Sequence, residues 1–254
     1  MAKIYNQEQT VVLWTEPQVS LIQHSIPMMP TLDSLALEAG EGQHDWEPDA
    51  RELELAPIFA GRACYQSFGD RAGRKTAEDY LGHILDVGHF SILEHSSVSF
   101  YLQGVSRSFS HELIRHRMAS YSQLSQRFVP YDECLPLVIH PNIWNTASDK
   151  EKEDVILNMT AYGDEIRLTY KYYIQKYAEK WGYETFAQKK KVRETAREFL
   201  PNMTETKIVV TMNLRSWLEM LSKRNSEAAD GQIHAVASKI KAELVSLAPN
   251  VFSD

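Results

Sequence analysis

The chain has 254 residues, with 27 Lys and Arg against 34 Asp and Glu, giving a formal net charge of −7 at neutral pH. Composition is ordinary globular, 43% hydrophobic and 24% charged, with length enough to bury a sizeable core. This excludes a broad DNA- or RNA-binding surface, which needs many phosphate contacts, and no apolar run approaches the roughly 18 residues of a membrane span.

The N-terminus, MAKIYNQEQTVVLW, has no basic start followed by an apolar core and does not read as a secretory signal. Cys64 and Cys134 lie far apart without metal-type spacing and read as free thiols of a cytoplasmic protein. Residues 10–25 read as one or two strands around Val11, Val12, Leu13 and Trp14, interrupted by Pro17. Residues 26–50 read as a surface loop with a single helical turn around Leu32 to Glu38. Residues 51–65 read as a helix whose start is limited by Pro57. SFGDRAGRK, residues 67–75, is a polar connection. It superficially resembles a phosphate-binding P-loop, but only three residues separate Gly69 from Gly73 and Arg74 intervenes.

Thr76 is placed to cap a helix through Tyr80, Leu81, Ile84, Leu85 and Val87, ended by Gly88. Val98, Phe100 and Leu102 alternate with polar neighbours, so residues 96–104 read as a half-buried strand. Ser106 caps a helix from Arg107 to about Arg117, and residues 118–130 read as a polar loop closed by Pro130. A short strand within 134–144 precedes a long helix from Ser148 or Asp149 to about Trp181. Its apolar residues follow three- and four-residue spacings, and Gly182 ends it. A basic helix over 185–199 stops before Pro201. Residues 206–213 form a second strand, and helices follow over about 214–224 and 226–247. With no repeat or linker, the pattern predicts a single α+β domain over 1–254. It carries a small, mostly antiparallel sheet packed against several helices, one of them long (about 150–181).

Residues 105–130 stand apart. Arg107, Arg115, Arg117 and Arg127 face one acid, Glu112, so this stretch is basic in an acidic chain. Arginine forks, serine hydroxyls and backbone amides together suit a phosphate or nucleotide. HELIRH does not fit a zinc helix, because His111 and His116 are about 140° apart on a regular helix. No GxSxG elbow accompanies Ser125, and six serines between 106 and 125 read as caps or loop ligands. Arg115 and Arg117, about 200° apart on a helix, face opposite ways unless the helix ends there; they read either as cations favoured at a helix C-terminus or as addressing two different groups.

RHRMASYSQLSQRF resembles the signature RHRxxSxxxxSxR of the flavin-dependent thymidylate synthases, through Arg115, His116, Arg117, Ser120, Ser125 and Arg127. Gly88, His89, Ser91, Glu94 and His95 resemble the family's GHxSxxEH segment. Ser106 and Arg107 match the SR before the signature. Ala196, Arg197, Glu198, Leu200 and Pro201 match its AREhLP segment. Asn213, Arg215 and Trp217 match NxRxW, with Arg224 the trailing arginine. The likeness keeps its order over about residues 60–245.

The resemblance implies reductive methylation of dUMP to dTMP. 5,10-Methylenetetrahydrofolate is the carbon donor, and FAD relays hydride from NADPH. It implies a homotetramer with sites shared between subunits, no nucleic-acid polymer as partner, no membrane association and no metal. By resemblance dUMP is held by Glu112, Leu113, Ile114, Arg115, Gln123, Leu124, Ser125, Gln126, Arg127 and Arg197. Arg224 faces the uracil and is the catalytic residue, stabilising developing negative charge without a covalent enzyme nucleophile. FAD is held by His89, Ser91, Arg115, His116, Arg117, Gln123, Asn213, Leu214, Arg215 and Glu219. The chain departs from the family at Glu219 (often His or Asn), Ala228 (often His), Gln232 (often an acid) and Phe128 (often Tyr). Two other readings of these residues stay open: a flavoprotein that has lost methyl transfer, and a nucleotide-binding regulator without activity.

Overall fold

A computed structural model describes residues 2–40 and 49–253. In chain order come β1 (Lys3–Tyr5), β2 (Val11–Trp14), β3 (Gln18–His24), α1 (Met29–Glu38) and α2 (Glu52–Tyr65). Next are α3 (Ala77–Val87), a 3₁₀ helix Phe90–His95, β4 (Ser97–Ser106), α4 (Arg107–Leu113), β5 (Ser120–Gln123) and β6 (Leu135–Val138). Then follow α5 (Pro141–Trp144), α6 (Asp149–Trp181), α7 (Phe186–Ala196), a 3₁₀ turn Arg197–Phe199 and β7 (Glu205–Asn213). The chain finishes with α8 (Leu214–Arg224), α9 (Gly231–Leu247) and α10 (Pro249–Phe252). The class is α+β as expected, but the strands make two sheets rather than one.

The larger sheet has the order β3-β4-β7-β5, antiparallel throughout. β4 and β7 form its centre because their alternating apolar residues, Val98, Phe100 and Leu102 against Ile208, Val210 and Met212, are all buried. A bulge interrupts their register between Leu102 and Val105. Gly104 sits in it at φ +67, where a Cβ would fall 2.4 Å from the Trp14 ring. Helices α2, α3, α8, α9 and α10 close this core. The smaller sheet, order β1-β2-β6, pairs β2 parallel with β6. The 33-residue α6, about 50 Å long, lies against it.

The N-caps at Thr76 and Ser148 and the left-handed Gly88 are as the sequence requires. Several local expectations differ from the structure. The segment after β3 holds the ten-residue α1, not one turn; residues 41–48 of the expected loop lie outside the described residues. Pro57 lies inside α2, whose start is fixed instead by Glu54 reaching back to the Arg51 N–H at 2.8 Å. Residues 120–123, expected in a loop, form the edge strand β5. Its polar outer face hides the alternation of half-buried Tyr121 and Gln123.

Helix α4 stops at Leu113, four residues early. The Tyr121 hydroxyl lies 2.8 Å from the Leu113 carbonyl and 2.7 Å from that of His116, holding the chain in a turn. Burial lifts that phenol to about 12, so it stays a neutral donor. Farther on, the basic helix is α7 plus a 3₁₀ turn, and the last long helix starts at Gly231, behind an Asp230 cap.

Candidate active site

α8 is the rail on which the site is mounted. Asn213 caps it, its Oδ1 accepting from Ser216 N at 2.8 Å. Leu214, Trp217, Met220 and Leu221 face the core, and Trp217 Nε1 donates to the Val98 carbonyl at 3.2 Å. With that face anchored, Arg215, Glu219 and Lys223 recur at four-residue spacing on the opposite one.

Cavities flank this outer face. On one side Leu85, Phe90, Leu218 and Ser222 join Arg215 and Glu219 around about 470 Å³ of largely apolar space. On the other, Arg115, His116 and Arg117 of the turn after α4 join Glu219, Lys223 and Arg224 around about 310 Å³. Beyond Arg215 a third cavity, about 340 Å³, is bordered by His89, Ser91, Tyr65 and Tyr80. Arg215 borders two of the three and makes an ion pair with Glu94.

Arg224 ends α8 and ties it to α4. Its Nη1 donates to Glu112 Oε2 at 2.8 Å and its Nε to His116 Nε2 at 3.2 Å. His116 is therefore an acceptor at Nε2, hence neutral. Burial first, then the Arg224 and Lys223 charges, hold its pKa below the ordinary 6.5. The expected split of Arg115 from Arg117 by helix angle loses its premise, because both lie beyond the end of α4. The same holds for the angle separating His111 from His116. Among the described residues no group of three His, Cys, Asp or Glu is arranged to hold a metal.

A second cluster forms around the next turn. Gln123 Nε2 donates to Thr206 Oγ1 at 3.1 Å, and Leu124 N to the Lys207 carbonyl at 2.8 Å, so the end of β5 is fixed on β7. The Ser125 carbonyl accepts from the amides of Phe128 and Val129, folding the following residues into a turn. Arg193 pins that turn to α7, donating to the Phe128 carbonyl at 2.6 Å. Arg127 faces Glu194 at 3.8 Å, and Arg197 follows at the end of α7. Arg107 belongs here too: burial, with the charge of Arg197 adding to it, lowers its pKa. Sequence reading left Arg107 without a ligand role, although its place in the basic stretch was the available signal.

The structure thus gathers Arg115, His116, Arg117, Arg215, Glu219 and Arg224 about α8, and His89 and Ser91 just beyond. It groups Ser125, Arg127 and Arg197 with Arg107 about α7. The side chains of Leu113 and Leu214 point into the core, while Ile114 is exposed and Gln126 is buried. Asn213 Oδ1 is engaged by its own helix. The departures also find places. Gln232 is buried and accepts from both the amide and the hydroxyl of Ser106, and Phe128 stacks on Phe186.

Adjacent basic and apolar cavities along one helix suit a ligand with both an anionic and an apolar part. The chain's relatives narrow that class. Residues 50–250 match the family model described as "Thymidylate synthase complementing protein". The chain is 45% identical over 213 residues to the "Flavin-dependent thymidylate synthase" of Mycobacterium marinum (strain ATCC BAA-535 / M), covering 82% of each chain. The protein of that name from Mycobacterium bovis (strain BCG / Pasteur 1173P2) gives the same identity and coverage. That from Mycobacterium sp. (strain KMS) is 46% identical over 217 residues, again 82% of each. The chain belongs to the flavin-dependent thymidylate synthase family.

Proposed function

We propose that the chain makes dTMP from dUMP, with 5,10-methylenetetrahydrofolate as carbon donor and NADPH as reductant through FAD. The observation that carries this reading is the arrangement along α8. Glu219 borders two cavities, an apolar one shared with Arg215 on one side and one lined by Arg115, His116, Arg117 and Arg224 on the other. That donor set fits a flavin dinucleotide, whose ring needs apolar walls and whose phosphates need cations. When bound, the flavin supplies hydride-transfer chemistry.

In this reading Arg115, His116, Arg117 and Arg215 hold the cofactor, with His89 and Ser91 on the far side. Arg127 and Arg197, with Ser125 and Arg107, hold the dUMP phosphate. Arg224 faces the uracil and stabilises negative charge that develops there, which raises the nucleophilicity of its C5 without a covalent enzyme nucleophile. His116, neutral and accepting from Arg224 Nε, fixes the guanidinium in place. The active protein in this reading is a homotetramer whose sites combine neighbouring subunits. Both cysteines are free thiols, in keeping with work in the cytoplasm. Among the described residues no helix is long and apolar enough to cross a membrane.

The test is direct. Purified protein is expected to bind FAD with absorbance near about 450 nm and to release tritium from 5-tritiated dUMP when given the folate and NADPH. FAD binding without tritium release overturns the synthase reading in favour of another flavoprotein. dUMP binding without FAD favours a regulator.

A further inference from the structure

Glu219 is the one acid among the described residues lining the basic cavity, where its neighbours are Arg115, His116, Arg117, Lys223 and Arg224. It also lines the apolar cavity on the other side of α8, so it stands on the ridge between them. A free carboxylate there repels any phosphate-bearing ligand that spans both spaces. The nearby cations are not equally free to offset it. Arg215 is paired with Glu94, and Arg224 is held by Glu112 and His116. Lys223, one turn after Glu219, makes an ion pair with it from the same helix face. Both side chains are more than half exposed, so the pair adds little to folding.

We propose that Lys223 is a specificity-determining residue: it neutralises Glu219 on the ridge between the two cavities, so that a dinucleotide's phosphates are admitted while the Glu219 carboxylate stays available to accept from a ligand hydroxyl or N–H. The pair divides the labour that a single neutral side chain at 219 would perform. Glu219 supplies an acceptor stronger than a neutral one, and Lys223 removes the electrostatic penalty. His116 feels both members, Lys223 disfavouring and Glu219 favouring its proton, which places the pair within electrostatic reach of the Arg224 contact.

This inference rests on the flavin reading, and the experiment separates the two. FAD dissociation constants are measured by fluorescence for the wild type and for Lys223→Met, Glu219→Gln, the double variant and Lys223→Arg, at low and high salt. Thermal melts serve as a check on folding. The wild type is expected to bind FAD. Lys223→Met is expected to weaken binding about 5- to 10-fold at low salt and less at high salt, because screening relieves the exposed carboxylate. Adding Glu219→Gln restores affinity to within about threefold of wild type, and Lys223→Arg stays within about twofold. If Lys223→Met weakens FAD equally with and without Glu219→Gln, or has no effect, Lys223 is not a compensator and the proposal is overturned. A wild type that does not bind FAD removes the flavin reading itself, and the proposal with it.

Discussion

Arg224 Nη1 and Glu112 Oε2 lie 2.8 Å apart, joining the last residue of α8 to α4 across 112 positions of sequence. The Arg224 side chain is 23% exposed and that of Glu112 is 41% exposed, so the pair is close to solvent yet fixed in direction. Such a guanidinium is positioned before any ligand arrives, which suits electrostatic stabilisation of developing charge. Arg224→Ala is expected to lower turnover by about 10²-fold or more while shifting the melting temperature only slightly. Tritium release and thermal melts read the two effects, and unchanged turnover removes Arg224 from catalysis.

The neighbouring contact carries a pH dependence. His116 must be neutral at Nε2 to accept from Arg224, and its folded pKa lies below 6.5. The folded state therefore binds fewer protons than the unfolded chain in the window between that lowered value and 6.5. Stability from this group is fully present above 6.5 and is lost as pH falls from there through the lowered folded value. His116→Gln keeps an acceptor near the same place and does not titrate. It is expected to flatten the fall in melting temperature, and in turnover, between about pH 7 and pH 5. A wild-type profile that the variant reproduces would show that His116 does not set the acid limb.

Much of this fold was legible because its signals are local. Thr76, Ser148 and Gly88 mark helix ends by their own chemistry, and the two central strands alternate plainly. The misses have tertiary causes. The end of α4 is decided by the Tyr121 hydroxyl, eight residues from Leu113. β5 is recognisable only as the partner of β7, and the smaller sheet joins β2 to a strand more than a hundred residues later. The site followed the same rule. Its arginines stand out by composition and motif, but their division into a group on α8 and a group on α7 depends on packing. Lys223 shows in the sequence only as a partner one turn after Glu219; that the two share a cavity with Arg115 depends on packing.

Gly163 sets how closely α6 approaches the smaller sheet. A Cβ there would lie 2.8 Å from Val11 Cγ1 and 3.2 Å from Leu137 Cδ1. Gly163→Ala is therefore expected to lose more in overpacking than it gains in helix propensity, a net destabilisation of about 1–3 kcal/mol. Urea unfolding measures it. A variant as stable as wild type would mean that α6 can shift outward without loss.

Gln232 supports the site from behind. It is 3% exposed, and its Oε1 accepts from the Ser106 amide at 3.0 Å and the Ser106 hydroxyl at 2.7 Å. The same hydroxyl accepts from Phe109 N at 3.1 Å as the cap of α4, so Gln232 orients the residue that starts the helix carrying Arg107 and Glu112. Gln232→Leu leaves a buried donor pair without an acceptor and is expected to cost about 1–3 kcal/mol. dUMP affinity should fall with it, because Arg107 and Glu112 lose their fixed start. Gln232→Glu keeps the acceptor, and its carboxylate is expected to retain more of the dUMP affinity than leucine does. Equal dUMP binding by all three proteins would show that the start of α4 is held in place without the Ser106 contact.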